Sequence, residues 1–172
     1  MSTSLKIYQK YHLERAYKGE TFFWGLTPKQ NDFVRFKFTP PIRLKSYLFK
    51  SGNVEHPGDK FFNATVEALP VDHQNGKKEG AVLDDQPNRE PGGFARTESG
   101  YLVLGQFNHG DGIASLNLNV SSSNAVGLVT ELRIRSLTAS NNWVILNEIS
   151  IKAFPPSPVD SALSSAGKKG RS

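Results

Sequence analysis

Apolar and polar residues alternate along most of the chain. In the segment DFVRFKF, Val34, Phe36 and Phe38 fall on one side of an extended chain, and the two basic residues between them fall on the other. In the segment IRLKSYLFK, Ile42 and Leu44 continue the pattern. A period of two residues is typical of strands that bury one face and expose the other.

Eight segments carry this alternation, and each is bounded by Gly, Pro, Asn or Ser. They are FFWGLTP, DFVRFKF, IRLKSYLFK, NATVEALP, GYLVLGQF, IASLNLNV, LVTELRIRSL and WVILNEISIKAF. No window keeps a 3.6-residue period long enough to predict a major helix, and parallel strands would need crossover helices. The pattern therefore predicts an all-β fold, an antiparallel jelly-roll β-sandwich of about eight strands.

These segments are predicted to form one domain, residues 1–154 of the 172-residue chain. Residues 72–100 are polar and poor in apolar side chains, so we expect an extended loop there. Residues 155–172 change abruptly to Pro, Ser, Ala and Lys, which predicts a disordered C-terminal tail. The N-terminus lacks the apolar centre of a signal peptide, and no run reaches the roughly 20 apolar residues that span a bilayer, so no membrane contact is expected.

The formal charge of +5 at pH 7 raises the question of nucleic-acid binding. The predicted tail carries +2 of this charge, and the other basic residues are scattered through the predicted strands, where alternation places them on solvated faces. The sequence contains neither a basic cluster in the predicted domain nor a nucleic-acid-binding motif. It therefore does not predict a nucleic-acid partner.

The residue types that carry catalysis are sparse. The chain has no cysteine, which excludes disulfides, thiol nucleophiles and cysteine-bound zinc. Its four histidines are far apart, and no Gly-rich phosphate loop, His-Glu-x-x-His or Gly-x-Ser-x-Gly motif occurs. Asp84 and Asp85 are adjacent, and the Asp-x-Asp spacing that holds a metal and a nucleotide sugar is missing. We therefore expect no catalytic residue, no metal site and no enzyme activity in this chain alone; a structural calcium on backbone carbonyls would leave no sequence signature and stays open.

The stretch SGNVEHPGDKFFN, residues 51–63, joins two predicted strands and is rich in side chains that hydrogen-bond to hydroxyl groups. These candidates for carbohydrate binding are Asn53, Glu55, His56 and Asp59. Pro57 and Gly58 restrict the backbone among them, which lowers the entropy lost on binding. The alternative is an ordinary turn in which Asp59 accepts hydrogen bonds from backbone N–H groups, and the residues alone favour that alternative.

A sugar also presents an apolar ring face, against which an aromatic side chain packs. The aromatic candidates are Phe22, Phe23, Trp24, Phe61 and Trp143. Large aromatic residues in a sandwich are more often core, and we expect this of Trp24. Trp143 lies near a loop end, so it is equally well placed to bind a ligand. Two Asn-x-Ser/Thr sequons, at Asn63 and Asn119, are candidate N-glycosylation sites, although such tripeptides also arise by chance.

Several longer blocks resemble a known family. They are TSLKIYQ, GETFFWGLTP, FVRFKF, SYLFKSGNVEHPGDKFFNATVEALP, GYLVLGQF and NWVILNEISIK. In this order, from residue 3 to about residue 152, they are similar to the C-terminal domain of N-acetylglucosaminyltransferase IV, the α-1,3-mannosyl-glycoprotein 4-β-N-acetylglucosaminyltransferase family. The resemblance implies a discoidin-like, galactose-binding-domain-like sandwich and a non-catalytic lectin that recognises terminal GlcNAc on N-glycans.

The resemblance also implies a setting. Enzymes of this family are type II membrane proteins of the Golgi that use UDP-GlcNAc and a divalent metal in an upstream catalytic domain, which this chain lacks. The expected location is therefore the Golgi lumen, the expected partners are that catalytic domain and glycoprotein acceptors, and no cofactor is expected in the domain itself. The rival interpretation is a structural or interaction module that packs on the catalytic domain and binds no sugar.

The family motif Ser-Gly-Asn followed by His-Pro-x-Asp matches residues 51–59. The resemblance assigns sugar binding first to Asp59 and second to His56. Asn53 and Glu55 are supporting candidates, and Trp143 is the candidate stacking surface.

Overall fold

The computed structural model describes residues 1–71 and 91–156. The predicted loop over residues 72–100 is therefore described only from residue 91, where a short 3-10 turn, Pro91–Gly93, leads towards the next strand. Residues 157–172 of the predicted tail also lie outside the described residues.

Eight strands and two short helices make up the described chain. They are β1 (Ser2–Thr3), α1 (Leu13–Tyr17), β2 (Phe23–Gly25), β3 (Phe33–Ser51), β4 (Ala64–Pro70), β5 (Leu102–Gln106), β6 (Ile113–Asn117), α2 (Val120–Val126), β7 (Leu128–Ser136) and β8 (Val144–Phe154). All strand pairs between these elements are antiparallel. The prediction of an all-β antiparallel sandwich of about eight strands is confirmed, and the jelly-roll winding stays a prediction.

The long strand β3 belongs to both layers. Its first part, from Phe33 to Lys37, pairs with β1 and β7, and its second part, from Arg43 to Ser51, pairs with β8 and β6. One layer is therefore β1-β3-β7-β4-β5 and the other is β2-β8-β3-β6. The change of partner coincides with Pro40 and Pro41, which have no N–H to donate to a neighbouring strand.

The core lies between these two layers. Phe36 from the first part of β3 and Phe49 from the second part stack with ring centroids 5.8 Å apart. A Cβ added at Gly105 in β5 would lie 2.6 Å from the hydroxyl oxygen of Tyr47, so β5 needs glycine where the opposite layer approaches it. Burial raises the pKa of the Tyr47 hydroxyl.

The inward side of β3 changes phase near Lys45. Leu44 is fully buried, and the next buried side chains in β3 are Tyr47 and Phe49. A register shift against β8 between Leu44 and Ser46 supplies the extra residue. Such a bulge turns a strand so that the other set of side chains faces the core.

The two helices were not predicted because each is too short to show a helical period. In α1, Leu13 and Ala16 face the core three residues apart. Before α2, the side chain of Asn119 accepts a hydrogen bond from the Ser122 backbone N–H, which explains why β6 ends earlier than the segment IASLNLNV predicts. No helix in the described part of the chain is long and apolar enough to cross a membrane.

The basic residues of β3 and β7 were expected on solvated faces, but three of them pair with buried glutamates. Glu67 is fully buried and forms ion pairs with Arg133 (2.8 Å) and Arg135 (2.9 Å). Glu131 is 4% exposed and pairs with Arg35 at 2.9 Å. These arginines therefore neutralise buried glutamates within the sheet, which further weakens a nucleic-acid interpretation of the net charge.

Titration of this network follows from its contacts. Burial alone would raise the pKa of Glu67, but hydrogen bonds from Arg135, Thr65 and Arg133 outweigh it and hold that pKa below its ordinary value. Burial and a hydrogen bond to Glu131 raise the pKa of the Tyr101 hydroxyl to about 12. At neutral pH the network consists of ionised Glu67 and a neutral tyrosine.

Candidate functional site

The loop after β3 is shaped by its own hydrogen bonds. The Asn53 side-chain oxygen accepts from the His56 backbone N–H at 2.6 Å. The His56 carbonyl in turn accepts from the backbone N–H groups of Asn53 (3.3 Å) and Asp59 (3.2 Å). The predicted rigid loop is therefore present, and the polar side chain of Asn53 is used to build it.

Asp59 is fixed by contacts on both its backbone and its side chain. Its carbonyl accepts from the Ile145 backbone N–H at 2.9 Å, which ties the loop to β8. Its carboxylate oxygen Oδ2 accepts from the indole Nε1–H of Trp24 at 3.0 Å, which ties the loop to β2. Asp59 is partly buried. Its carboxylate accepts a hydrogen bond from an indole N–H, whereas the turn alternative expected it to accept from backbone N–H groups.

The indole that bonds this carboxylate belongs to a group of six rings, which we call the aromatic cluster. Its members are Tyr8, Tyr11, Phe22, Trp24, His56 and Trp143. Trp24 is central: its ring centroid lies 4.6 Å from that of His56, 4.9 Å from that of Tyr8 and 5.5 Å from that of Trp143. His56 is exposed, whereas the other five members are partly buried. The cluster is thus an aromatic surface and not part of the enclosed core.

The N-terminal segment supplies two members of the cluster. The Tyr8 backbone N–H donates to the Trp24 carbonyl at 2.8 Å, and the Trp24 backbone N–H donates to the Tyr11 carbonyl at 3.1 Å. Trp24 also pairs with Ile145 of β8 on its other side. The backbone of Trp24 therefore lies between the N-terminal segment, to which it is hydrogen-bonded, and β8, which fixes the direction of its side chain.

A second loop supports the first. The Ser51 hydroxyl donates to the Gly112 carbonyl at 2.6 Å and accepts from the Phe61 backbone N–H at 3.1 Å. The Lys60 ammonium donates to the Gly110 carbonyl at 3.2 Å. Gly112 has φ +68° and a Cβ there would lie 2.7 Å from the Ser51 Oγ, so the close approach of the two loops requires glycine.

The structure brings three of the five predicted sugar-binding residues together: Asp59, His56 and Trp143 all contact Trp24. Asn53 lies in the same loop, with its oxygen bonded to the backbone. Glu55 is exposed and forms no ion pair within the described residues. Their role in sugar binding stays a prediction.

Sequence reasoning missed Tyr8 and Tyr11 as parts of this site, and it named Phe22 and Trp24 as aromatic candidates without assigning them to it. Trp24 was expected in the core, but it is only partly buried, while its neighbour Phe23 is fully buried. The alternation in FFWGL carries this signal, since residues on either side of a buried strand residue face outward. Tyr8 and Tyr11 precede any regular pattern, and only the tertiary structure places them.

Two further features limit the chemistry that the Asp59 site can support. In residues 1–71 and 91–156, no group of three His, Asp or Glu side chains is arranged to hold a metal ion. An open depression of about 250 Å³ is lined by Lys60 and Phe61, and another of about 450 Å³ lies near the end of β8; Asp59 lines neither of them. The Asp59 carboxylate therefore lies outside these two depressions.

Both sequon asparagines are exposed. The Asn63 amide donates to the Thr138 hydroxyl at 3.1 Å, and the Asn119 oxygen caps α2. Glycosylation at either asparagine stays a prediction.

Comparison with known proteins identifies the family. The family model "MGAT4 C-terminal domain" matches residues 1–148. The chain belongs to this family. Its relatives include alpha-1,3-mannosyl-glycoprotein 4-beta-N-acetylglucosaminyltransferase B of Danio rerio, which is 46% identical over 152 residues, and the B enzyme of Mus musculus, which is 42% identical over 152 residues. The A enzyme of Macaca fascicularis is 42% identical over 154 residues.

Each of these matches covers 88% of this chain and 25% or 26% of the relative. The chain thus spans about a quarter of the length of the curated relatives, and it corresponds to the C-terminal domain of the MGAT4 N-acetylglucosaminyltransferases. The family resemblance expected from the sequence blocks is confirmed. Within this MGAT4 C-terminal domain, the motif at residues 51–59 forms the loop that carries Asp59 and His56.

Proposed function

We propose that this domain is a non-catalytic lectin that binds terminal GlcNAc of N-glycans through Asp59 and the aromatic cluster. The observation that carries the proposal is the partly buried Asp59 carboxylate, which is bonded to the indole of Trp24, the central ring of the aromatic cluster. A carboxylate accepts hydrogen bonds from sugar hydroxyls, and an aromatic ring packs against the apolar face of a sugar. The two kinds of group lie together here.

His56 adds a polar group that is open to solvent. Its imidazole packs on Trp24 and makes no hydrogen bond within the described part of the chain, so both ring nitrogens are open to a hydroxyl or an amide of the ligand. Trp143 meets Trp24 at an interplanar angle of 71°, so the two indoles form two walls of one corner. The preference for GlcNAc over galactose or mannose rests on the family and not on this geometry.

The proposed binding is weak at a single site. A shallow surface with a few hydrogen bonds gives a Kd on the order of 0.1 to 1 mM. In a full-length enzyme of the family, tethering to the catalytic domain makes such an affinity useful, because it raises the local concentration of a GlcNAc-terminated glycoprotein. We place this role in the Golgi lumen.

A second candidate function is packing on the catalytic domain. The depression of about 450 Å³ lies beside the change of partner in β3 and near the end of β8. Its apolar lining residues are Phe38, Pro40, Pro41, Ile42, Leu128, Ala153, Phe154 and Pro156. An apolar surface of this kind is suited to an interdomain contact. It is separate from the Asp59 loop, so the two functions are compatible.

The test is a titration of the domain with GlcNAc, galactose and mannose, followed by tryptophan fluorescence. The chain has two tryptophans and both belong to the aromatic cluster, so the signal reports this surface alone. We expect a saturable change with GlcNAc. Asp59→Asn removes the carboxylate charge and should weaken binding about tenfold or more, since hydrogen bonds to charged groups contribute about 1.5–3 kcal/mol.

Asp32→Asn is the matched control. Asp32 also accepts hydrogen bonds, from the Ser4 hydroxyl and the Lys29 backbone N–H, but it contacts no member of the cluster. The control should bind GlcNAc like the unaltered domain. No saturable change with any sugar, or equal affinity in the folded Asp59→Asn variant, would refute the proposed lectin site.

A further inference from the structure

The hydrogen bond between Trp24 and Asp59 joins residues that are 35 positions apart in the chain. It uses one carboxylate oxygen, Oδ2, at 3.0 Å from the indole nitrogen. Within residues 1–71 and 91–156, no donor is bonded to the other oxygen, Oδ1. The bond therefore divides the carboxylate into one oxygen that is held and one that can accept from a ligand.

The donor itself is held firmly. The Trp24 backbone N–H and carbonyl are bonded to Tyr11 and Tyr8, and Trp24 lies opposite Ile145 of β8 in the sheet. Its indole ring is packed edge-to-face against the rings of Tyr8, Tyr11 and Phe22, at centroid distances of 4.9, 5.7 and 5.8 Å. A ring packed against three others in this way keeps one rotamer, so its N–H points in one direction.

The loop without this bond would still place the backbone of Asp59. The Asp59 N–H and carbonyl are bonded to His56 and Ile145, and neither bond restricts rotation of the carboxylate about its side-chain torsions. Ordering a free carboxylate on binding costs conformational entropy, which lowers affinity. A donor that orders it beforehand removes that cost.

We infer that Trp24 is a positioning residue, which orients the Asp59 carboxylate so that Oδ1 faces the sugar, in addition to any contact that its ring makes with the ligand. The inference rests on the proposed lectin function and names the group that prepares its acceptor. It also assigns different roles to the two indoles, because Trp143 makes no hydrogen bond to Asp59.

The test is a double-mutant cycle on binding to a surface coated densely with GlcNAc, where avidity keeps weak variants measurable. Trp24→Phe keeps an aromatic ring and removes the N–H. We expect it to weaken binding about fivefold to tenfold, which is the effect of losing one hydrogen bond to a charged group. In the Asp59→Asn background the same change should have much less effect, since the charged acceptor that Trp24 orients is gone.

Trp143→Phe is the matched control and should have the same effect in both backgrounds. Thermal unfolding checks that each variant is folded, and Trp24→Tyr, which also lacks the N–H, replaces Trp24→Phe if that variant is not. Equal losses for Trp24→Phe in both backgrounds, or no loss in either, would overturn the positioning role while leaving the lectin function intact. Absence of binding by the unaltered domain would overturn both.

Discussion

At the scale of single residues, the site depends on backbone positions as much as on the polar side chains. Ser51, the last residue of β3, bonds to both Gly112 and Phe61. The loop that carries Asp59 is therefore braced by a glycine in a different loop. A side chain at that glycine would disturb the site without touching any residue that we propose to contact the sugar.

Gly112→Ala tests this brace. Its φ of +68° disfavours any residue with a Cβ, and the new atom would lie 2.7 Å from the Ser51 Oγ and 2.9 Å from carbons of Lys60. Gly19→Ala is the control, because Gly19 has φ +75° and no atom within 4 Å of the added Cβ. We expect Gly19→Ala to lower the free energy of unfolding by about 1 kcal/mol and Gly112→Ala by about 1–3 kcal/mol more.

Urea unfolding measures both variants. Gly112→Ala should also weaken GlcNAc binding, because the Ser51 and Lys60 contacts that hold the loop must shift, whereas Gly19→Ala should not. Equal losses of stability in the two variants would show that the clash is relieved without cost.

Residue types in the sequence were enough to make Asp59, His56 and Trp143 candidates, because sugar binding uses carboxylates, imidazoles and indoles, and the family resemblance then ranked Asp59 and His56 first. They were not enough to find Trp24 as a site residue. Its side chain alternates with buried Phe23, but a strand of three residues gives too short a pattern to separate an outward tryptophan from a core one. Tyr8 could not be predicted as a site residue for a different reason, since a tertiary backbone hydrogen bond to Trp24 brings it to the site.

At the scale of elements, β4 and β7 are joined by a buried charge network as well as by the sheet ladder. Glu67 on β4 accepts from Arg133 and Arg135 on β7, and the Arg133 guanidinium lies 3.5 Å from the ring centroid of Tyr101. Removing one partner from such a network leaves buried charge uncompensated. The network should therefore dominate the acid sensitivity of this layer.

The pH dependence follows from the lowered pKa of Glu67. A carboxyl whose pKa is lower in the folded state stabilises the fold fully above its ordinary value of 4.5, and this contribution is lost as the pH falls from there through the folded pKa. Glu67→Gln should cost about 3 kcal/mol at pH 7 and should lose less stability than the unaltered domain between pH 4.5 and pH 2.5.

Glu148→Gln is the control for this series of urea unfolding curves. Its pair with Lys50 is almost half exposed on both sides, so the change should alter stability by less than about 1 kcal/mol and keep the pH slope of the unaltered domain. Identical pH slopes in the Glu67→Gln variant and the unaltered domain would argue against the network.

The alternation predicted almost every strand, because successive side chains of a half-buried strand point alternately to the core and to solvent. It divided β3 into two, since Thr39, Pro40 and Pro41 resemble a strand break. In the structure the chain continues through them and changes layers. The phase change after Leu44 was also hidden, because a bulge depends on the register against β8 and not on the strand's own pattern.

At the scale of the whole molecule, the proposed binding site lies at one end of the second part of β3, and both ends of the described chain are directed towards the other end. Ser51 pairs with Leu146 at the end of β3 that bears the loop, whereas Arg43 pairs with Phe154 at the other end, a separation of about 27 Å along the strand. Ser2 lies opposite Arg35 and Thr3 opposite Val34, so the first residue points towards the Phe154 end as well. A domain attached at either end leaves the site facing outward.

A fusion experiment tests this geometry. A folded, inert protein joined before residue 1 should leave the affinity for GlcNAc unchanged. The same protein inserted after Val54, which is 97% exposed at the tip of the loop, should abolish binding while the sandwich stays folded. Loss of affinity in the N-terminal fusion would contradict the outward-facing arrangement.

The most direct measurement of the central claim follows the two indole N–H signals in ¹H–¹⁵N NMR spectra while GlcNAc is added. Trp24 and Trp143 are the two tryptophans of the chain, and the indole of Trp24 is bonded to Asp59. We predict that both signals shift and saturate with GlcNAc, and that the shift of the Trp24 signal is largely lost in Asp59→Asn. Indole signals that stay unmoved at GlcNAc concentrations well above 1 mM would contradict a sugar site at Asp59, and the sandwich would then be best explained as a packing module.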